Sequence, residues 1–225
     1  MRLMIDERHA RMPWDALDAV VFDVGDVLLH YSPEAELEHF FPGDAQKRER
    51  LFRKIIQTPY WNMLDRGCLT VEEAVAAMTG RDKELEGDIR IVLEHFLEFN
   101  TVVEEGVYAL AACRAHGKRT YVLSNYQDVA FDIVQARYPF FAQFDGKVVS
   151  ARVGLVKPDP AIYRYVTDTF GLTPERVLFI DDTAANIEAA LHMGWQGFCL
   201  NEPGKLRRFS GEHGGREDGS GHAEE

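Results

Sequence analysis

Short apolar runs that stop at a polar side chain recur along the chain: Ala19-Val20-Val21-Phe22 ahead of Asp23, Thr120-Tyr121-Val122-Leu123 ahead of Ser124, Val148-Val149 ahead of Ser150, Val177-Leu178-Phe179-Ile180 ahead of Asp181, and Gly197-Phe198-Cys199-Leu200. Their apolar positions are continuous, without alternation, as in strands buried on both faces. Helical spacing fills most of the intervals. Residues 104–116 are periodic and stop at Gly117. Residues 160–170 follow Asp159 as a helix N-cap, with Pro160 at the first helical position and Gly171 past the end, and residues 184–193 stop at Gly194. Strand, helix and strand in this order predict an α/β fold, a doubly wound parallel sheet with helices on both sides.

Residues 32–100 break the alternation. They carry no strand pattern, whereas Ser32-Pro33, Asp44 and the capping box Thr70-Val71-Glu72-Glu73 each mark the start of a helix. An inserted all-helical cap domain of four helices is expected, with a core of its own from residues such as Phe52, Ile55, Trp61, Leu64 and Val92. The predicted organisation is an α/β core of residues 1–31 and 101–207, a helical cap of residues 32–100, and a disordered tail of residues 208–225, where glycines alternate with charges.

Composition narrows the partners. The 225 residues are 46% hydrophobic, enough for one ordinary core and a small second one, and no run reaches the roughly 18 consecutive apolar residues of a membrane span. Lys plus Arg is 25 against 37 Asp plus Glu, a formal charge of −12. Such a chain offers no long-range attraction to nucleic acid or an anionic membrane, and a small phosphorylated ligand needs a local positive spot. Cys68, Cys113 and Cys199 are an odd number spread far apart, and residues 1–18 lack the apolar core of a secretory signal, so a cytoplasmic location is expected.

In an open parallel sheet the ligand sits outside the carboxyl ends of the strands. The polar residues there are Asp23, Ser124 and the pair Asp181-Asp182, with Lys157 in the loop after the third run. Singly, each has a structural explanation: a carboxylate as a cap, Lys157 as a solvated charge, Ser124-Asn125 as a turn. Together they put three carboxylates, a hydroxyl and an ammonium on one rim. Carboxylates that close repel unless a hard cation sits among them, for which Mg²⁺ is the candidate.

These residues carry a resemblance. Phe22-Asp23-Val24-Gly25-Asp26-Val27-Leu28, Val122-Leu123-Ser124-Asn125, Val156-Lys157-Pro158-Asp159-Pro160 and Phe179-Ile180-Asp181-Asp182-Thr183-Ala184-Ala185-Asn186 resemble, in order, the four motifs of the haloacid dehalogenase superfamily over residues 19–200. A response-regulator receiver, with its acidic pair at the first strand, does not fit this order. The insertion resembles the branch with a helical cap after the first strand. The resemblance, which extends to sugar-phosphate phosphatases with Gly in place of the second aspartate of the first motif, implies a Mg²⁺-dependent phosphatase of small phosphate monoesters, a sugar phosphate among the candidates, acting through an aspartyl-phosphate. Asp23 matches the nucleophile, Ser124 the phosphoryl-binding hydroxyl and Lys157 the neutralising cation. Asp181 and Asp182, with Asp23 and the main-chain carbonyl of Gly25, match the metal ligands, and Asn186 supports them. Asn125 is expected at the substrate, as are Asp65 and Arg66 of the cap segment Trp61-Asn62-Met63-Leu64-Asp65-Arg66-Gly67.

One position departs from the pattern. The usual phosphatase of this superfamily has a second aspartate, a general acid and base, where this chain has Gly25. A missing acid costs on the order of 10² to 10⁴ in rate. Three accounts stay open: a leaving group that needs little protonation, such as that of an anomeric sugar phosphate or an acyl phosphate; a proton from His30, Asp65 or water; or a protein that binds phosphorylated ligands without catalysis. A haloacid dehalogenase ranks lower, because it needs no metal and would leave Asp181-Asp182 without a cation.

Overall fold

The computed structural model describes residues 14–95 and 100–200; the expected tail lies outside them. Seven strands form among these residues: β1 (Ala19–Phe22), β2 (Leu29–His30), β3 (Thr101–Val102), β4 (Arg119–Ser124), β5 (Gly146–Val149), β6 (Val177–Asp181) and β7 (Gln196–Cys199). Five of them make one sheet in the order β5-β4-β1-β6-β7, parallel throughout. The first run of the chain therefore becomes the central strand, with Phe22 level with Val122 on one side and Ile180 on the other. That register brings Asp23, Ser124 and Asp181 to the same edge.

Alternate residues of each strand face opposite layers, and both layers are buried. Val20, Phe22, Val122 and Ile180 pack with Leu110, Phe131 and Phe141 on one side. Val21, Leu123 and Phe179 pack with Ile162, Tyr163 and Trp195 on the other. This is why the runs read as continuous apolar sequence. The covering helices are α6 (Glu104–Ala115), α7 (Asp128–Arg137), α8 (Ser150–Val153), α9 (Pro160–Phe170) and α10 (Ala184–His192), numbered after the five of the insertion below. Asp159 caps α9 by accepting from the Ala161 N–H at 2.9 Å, and Gly171 closes it in the left-handed region at φ 57°. Gly106, in the first turn of α6, lies so close to the loop after β1 that a Cβ would stand 1.8 Å from the Val27 carbonyl oxygen.

Between β2 and β3, which pair antiparallel, lie α1 (Pro33–Phe40), α2 (Ala45–Ile55), α3 (Pro59–Asp65), α4 (Val71–Thr79) and α5 (Glu86–His95). Ser32, Asp44 and the Thr70/Glu73 capping box start α1, α2 and α4. There are five helices where the pattern suggested four. The extra start is Thr58-Pro59, whose cap residue makes no side-chain hydrogen bond to the helix. Leu51, Ile55, Leu64, Val75, Ile89 and Leu93 form a buried cluster separate from the two beside the sheet. No helix among the described residues is long and apolar enough to cross a membrane. Cys68 and Cys113 are free thiols, the first exposed and the second buried.

Candidate active site

The central strand ends at Asp23, which is 7% exposed. Its Oδ1 accepts from the Val24 N–H at 2.7 Å and contacts Lys157 Nζ at 2.8 Å, which fixes the carboxylate plane and leaves Oδ2 outside those two contacts. Lys157 is 4% exposed, and the same Nζ donates to Asp181 Oδ2 at 2.7 Å. One ammonium thus joins the ends of two neighbouring strands. Burial pushes the Asp23 carboxyl up, to about 7, against the opposing pull of Lys157. Lys157 is held above its ordinary range: burial works against its charge, but Asp23 and Asp181 outweigh it.

Asp181 is fully buried, and both its oxygens are engaged. Oδ1 accepts from the Thr183 N–H at 2.8 Å and Asn186 Nδ2 at 3.0 Å, and Oδ2 receives Asn186 at 3.1 Å besides Lys157. Its evident work is to hold Lys157. Asp182 is half-buried and accepts from the Thr183 hydroxyl at 3.3 Å; burial, then the neighbouring Asp181, raises its carboxyl. Asp23, Asp181 and Asp182 offer oxygens within 4.8 Å of one another, a hard-donor set that fits a divalent cation.

Asn125 stands elsewhere in the logic than expected. Its Nδ2 donates to the Lys157 carbonyl at 3.0 Å and its Oδ1 accepts from the Lys157 N–H at 2.8 Å. Both ends of the amide are taken by the main chain of Lys157, so Asn125 positions that lysine, although it also lines the cavity.

The cavity beside these groups holds about 200 Å³, between the strand ends and the insertion. Asp23, Gly25, Ser124 and Lys157 are among the residues at its floor; Tyr31, Trp61, Asp65, Asn100, Tyr126 and Gln127 also line it. Around Gly25 a Cβ would meet nothing within 4 Å, so the side chain missing from the motif leaves open space. Burial raises the Asp65 carboxyl to about 7. Arg66 is a correction to the sequence reading: it is exposed and not among the lining residues. Asp65 ends α3 and Arg66 follows it, and successive residues of a helical turn do not share a face. Asn62 is likewise exposed and off the cavity. His30, exposed at the end of β2, lies 3.6 Å from Asp26 and does not line the cavity either.

The insertion is fastened to the sheet layer beside the cavity. Ser150, fully buried at the start of α8, donates to the Asp65 carbonyl and accepts from the Tyr126 N–H at 2.9 Å. Gly67, at φ 69°, passes so near Ala151 that a Cβ would stand 2.4 Å from its carbonyl oxygen. Trp61 stacks on Tyr31 with ring centroids 6.3 Å apart. Tyr31, Asn100, Tyr126 and Gln127 were not singled out by sequence reasoning. Tyr126 and Gln127 directly follow Ser124-Asn125, and Tyr31 and Asn100 flank the insertion, so adjacency to motif and domain junction was the available signal.

Comparison with known proteins agrees with this fold. A drimenol cyclase of Aspergillus calidoustus is 24% identical over 84% of this chain, which spans 35% of that relative's length. A D-ribitol-5-phosphate phosphatase of Bacteroides thetaiotaomicron is 24% identical over 80% of this chain and 89% of its own. A HAD family enzyme from the same bacterium, solved in complex with magnesium and inorganic phosphate, superposes with a TM-score of 0.66 at 23% identity over 81% of this chain and 93% of that one. The family model for haloacid dehalogenase-like hydrolases matches residues 17–194. With the sheet order, the inserted helices and this match in hand, the chain belongs to the haloacid dehalogenase-like hydrolase family.

Proposed function

We propose that the protein is a Mg²⁺-dependent phosphatase of small phosphate monoesters that works through an aspartyl-phosphate on Asp23. The observation that carries this reading is the single ammonium of Lys157 held at 2.8 Å from Asp23 and 2.7 Å from Asp181, at the floor of a cavity that also presents Ser124. Lys157 is paired with two carboxylates, so it is together with a divalent cation on the acidic cluster that it would supply the local positive spot an acidic chain needs for an anion. Asp23, Asp182 with Asp181, and the Gly25 carbonyl are the groups that would hold Mg²⁺, which when bound supplies positive charge to the phosphoryl oxygens.

The chain's own residues account for the remaining steps. Asp23 attacks phosphorus in line, forming a bond from its carboxylate oxygen as the bond to the ester oxygen breaks. Lys157 and the Ser124 hydroxyl bind the oxygens of the transferring group. The departing alkoxide takes a proton from Asp65, whose carboxyl lines the cavity and keeps part of its proton near neutrality. Water, giving one proton back to the Asp65 carboxylate, then attacks the phosphorus of the acyl phosphate, the bond to Asp23 breaks, and inorganic phosphate and the Asp23 carboxylate are released.

The test is hydrolysis of p-nitrophenyl phosphate. Activity should vanish with a chelator, return with Mg²⁺, and fall at least about 10³-fold in Asp23→Asn. Turnover that ignores the metal or survives Asp23→Asn overturns the reading. One observation favours a second reading, a ligand binder without catalysis: the open space at Gly25 where an acid is missing. Its signature is phosphate-ester binding without turnover of any ester.

A further inference from the structure

The last carbonyls of a helix have no partner within it. At the end of α3 one of them belongs to Asp65, and its hydrogen bond comes from the α/β core, where the Ser150 hydroxyl donates to it. The same hydroxyl oxygen accepts from the Tyr126 N–H at 2.9 Å, so Ser150, fully buried, both gives and receives. The sheet puts it there. Strand β5 runs parallel to β4 with Val149 level with Ser124, which carries Ser150 alongside the loop that leaves Ser124. One residue on, the Ala151 N–H donates to the Tyr126 carbonyl at 3.4 Å. A single hydroxyl therefore joins three pieces of chain: the end of a cap helix, the start of α8 and the loop after Ser124.

What this joint carries is the Asp65 carboxyl. Asp65 lines the cavity, yet among the described residues no hydrogen bond or ion pair reaches its carboxyl, and burial alone raises it. With nothing gripping the side chain, its place follows from the main chain of residue 65. Gly67 adds a second point of contact, since at φ 69° it passes Ala151 so closely that a Cβ would stand 2.4 Å from the carbonyl oxygen. Removing the Ser150 hydroxyl takes a partner from the Tyr126 N–H and from the Asp65 carbonyl at once, and each then turns to water. Misplacing a reacting group by about 1 Å can cost on the order of 10² in rate.

We infer that Ser150 is a positioning residue for the proton donor, setting where Asp65 stands by tying the end of α3 to the loop that presents Ser124. Ser150 is not among the residues lining the cavity, so it acts through Asp65 and not on the substrate. This rests on the phosphatase reading above and adds to it a residue outside the four motif segments.

The test is the ratio of kcat/KM on n-butyl phosphate, whose leaving oxygen needs a proton, to that on p-nitrophenyl phosphate, whose leaving group needs little. A ratio cancels whatever a substitution does to phosphoryl binding. Ser150→Ala should lower it at least about tenfold, and Gly67→Ala, which forces the same junction apart, should lower it too. In an Asp65→Asn background Ser150→Ala should change it no further, because residues that act as a unit are not additive. An unchanged ratio in Ser150→Ala, or a fall that persists in that background, overturns the inference. If Asp65→Asn itself leaves the ratio unchanged, the donor is another group and the inference falls, while Asp23-dependent hydrolysis of p-nitrophenyl phosphate keeps the phosphatase reading standing. If no ester is turned over, that reading fails, and a carbon NMR titration of the Asp65 carboxyl decides the positioning. Its midpoint should fall from about 7 toward the ordinary carboxylate range in Ser150→Ala as water reaches it, and an unchanged midpoint overturns the inference. Should Ser150→Ala fail to fold, Gly67→Ala carries each of these readouts.

Discussion

The two ends of the cavity solve opposite problems. At the floor, Asp23, Lys157, Asp181, Thr183 and Asn186 answer one another: every oxygen of Asp181 has a donor, and Lys157 sits between two carboxylates. At the cap end Tyr31, Asn100 and Gln127 keep polar atoms with no protein partner. The floor is organised before any substrate arrives, as electrostatic stabilisation of a developing charge requires. The cap end is left incomplete. The contrast teaches that the two ends of one cavity are built differently, the charged floor compensated within the protein and the cap end holding buried polar atoms that the protein does not pair.

Breaking the floor should have the largest effect. Lys157→Met leaves two buried carboxylates facing each other, so the protein should lose about 3 to 5 kcal/mol in denaturant unfolding and p-nitrophenyl phosphate turnover should fall at least about 10³-fold. A variant that stays active would show the ammonium to be structural only. Next in size is Asp65→Asn. Loss of a proton donor should lower kcat on alkyl phosphates by about 10² while an aryl phosphate, whose leaving group needs little protonation, changes far less. Equal losses on both would assign Asp65 to binding alone.

Smaller effects sharpen the other side. Burial lifts the Glu36 carboxyl from 4.5 to about 8. Between those values the folded form keeps a proton that the unfolded chain has released, so stability falls as pH rises, by at most roughly 1.4 kcal/mol per pH unit. Glu36→Gln should flatten that slope in urea titrations run from pH 5 to pH 8; an unchanged slope would locate the titration elsewhere. Smallest is Gln127→Met. Removing a buried donor that lacks a partner should leave stability unchanged or raise it by about 1 kcal/mol, the reverse of Lys157→Met. A clear loss of stability would mean that the protein itself, and not a ligand, satisfies Gln127.

The floor was legible in the sequence because each of its residues follows an apolar strand or a strand-flanking loop, so the order of runs already places Asp23, Ser124 and Asp181 at one edge. Even so, the residue types did not reveal what each one touches. Asn125 looks like a ligand residue by adjacency, and only the returning loop shows its amide closed on Lys157. The cap end was hardly legible. Tyr31, Asn100 and Gln127 lie in three separate stretches and meet through the docking of the insertion, which no local periodicity encodes. Helix α3 was missed for a related reason, since Thr58-Pro59 gives a start without a side-chain cap. Helix α7 was missed too: its apolar face, Phe131 and Val134, follows an uncapped start at Gln127.

The contact between Gly106 and Val27 ties a distant stretch of chain to the chemistry. The loop that begins with the nucleophile doubles back beneath the first turn of α6, and only a hydrogen atom separates them at that point. Alanine there would favour the helix by up to about 1 kcal/mol yet force the Val27 carbonyl aside, and with it the loop leading from Asp23. In mechanical terms Gly106 is part of the nucleophile's mounting, and a survey of tolerated replacements should find it as restrictive as the acids themselves.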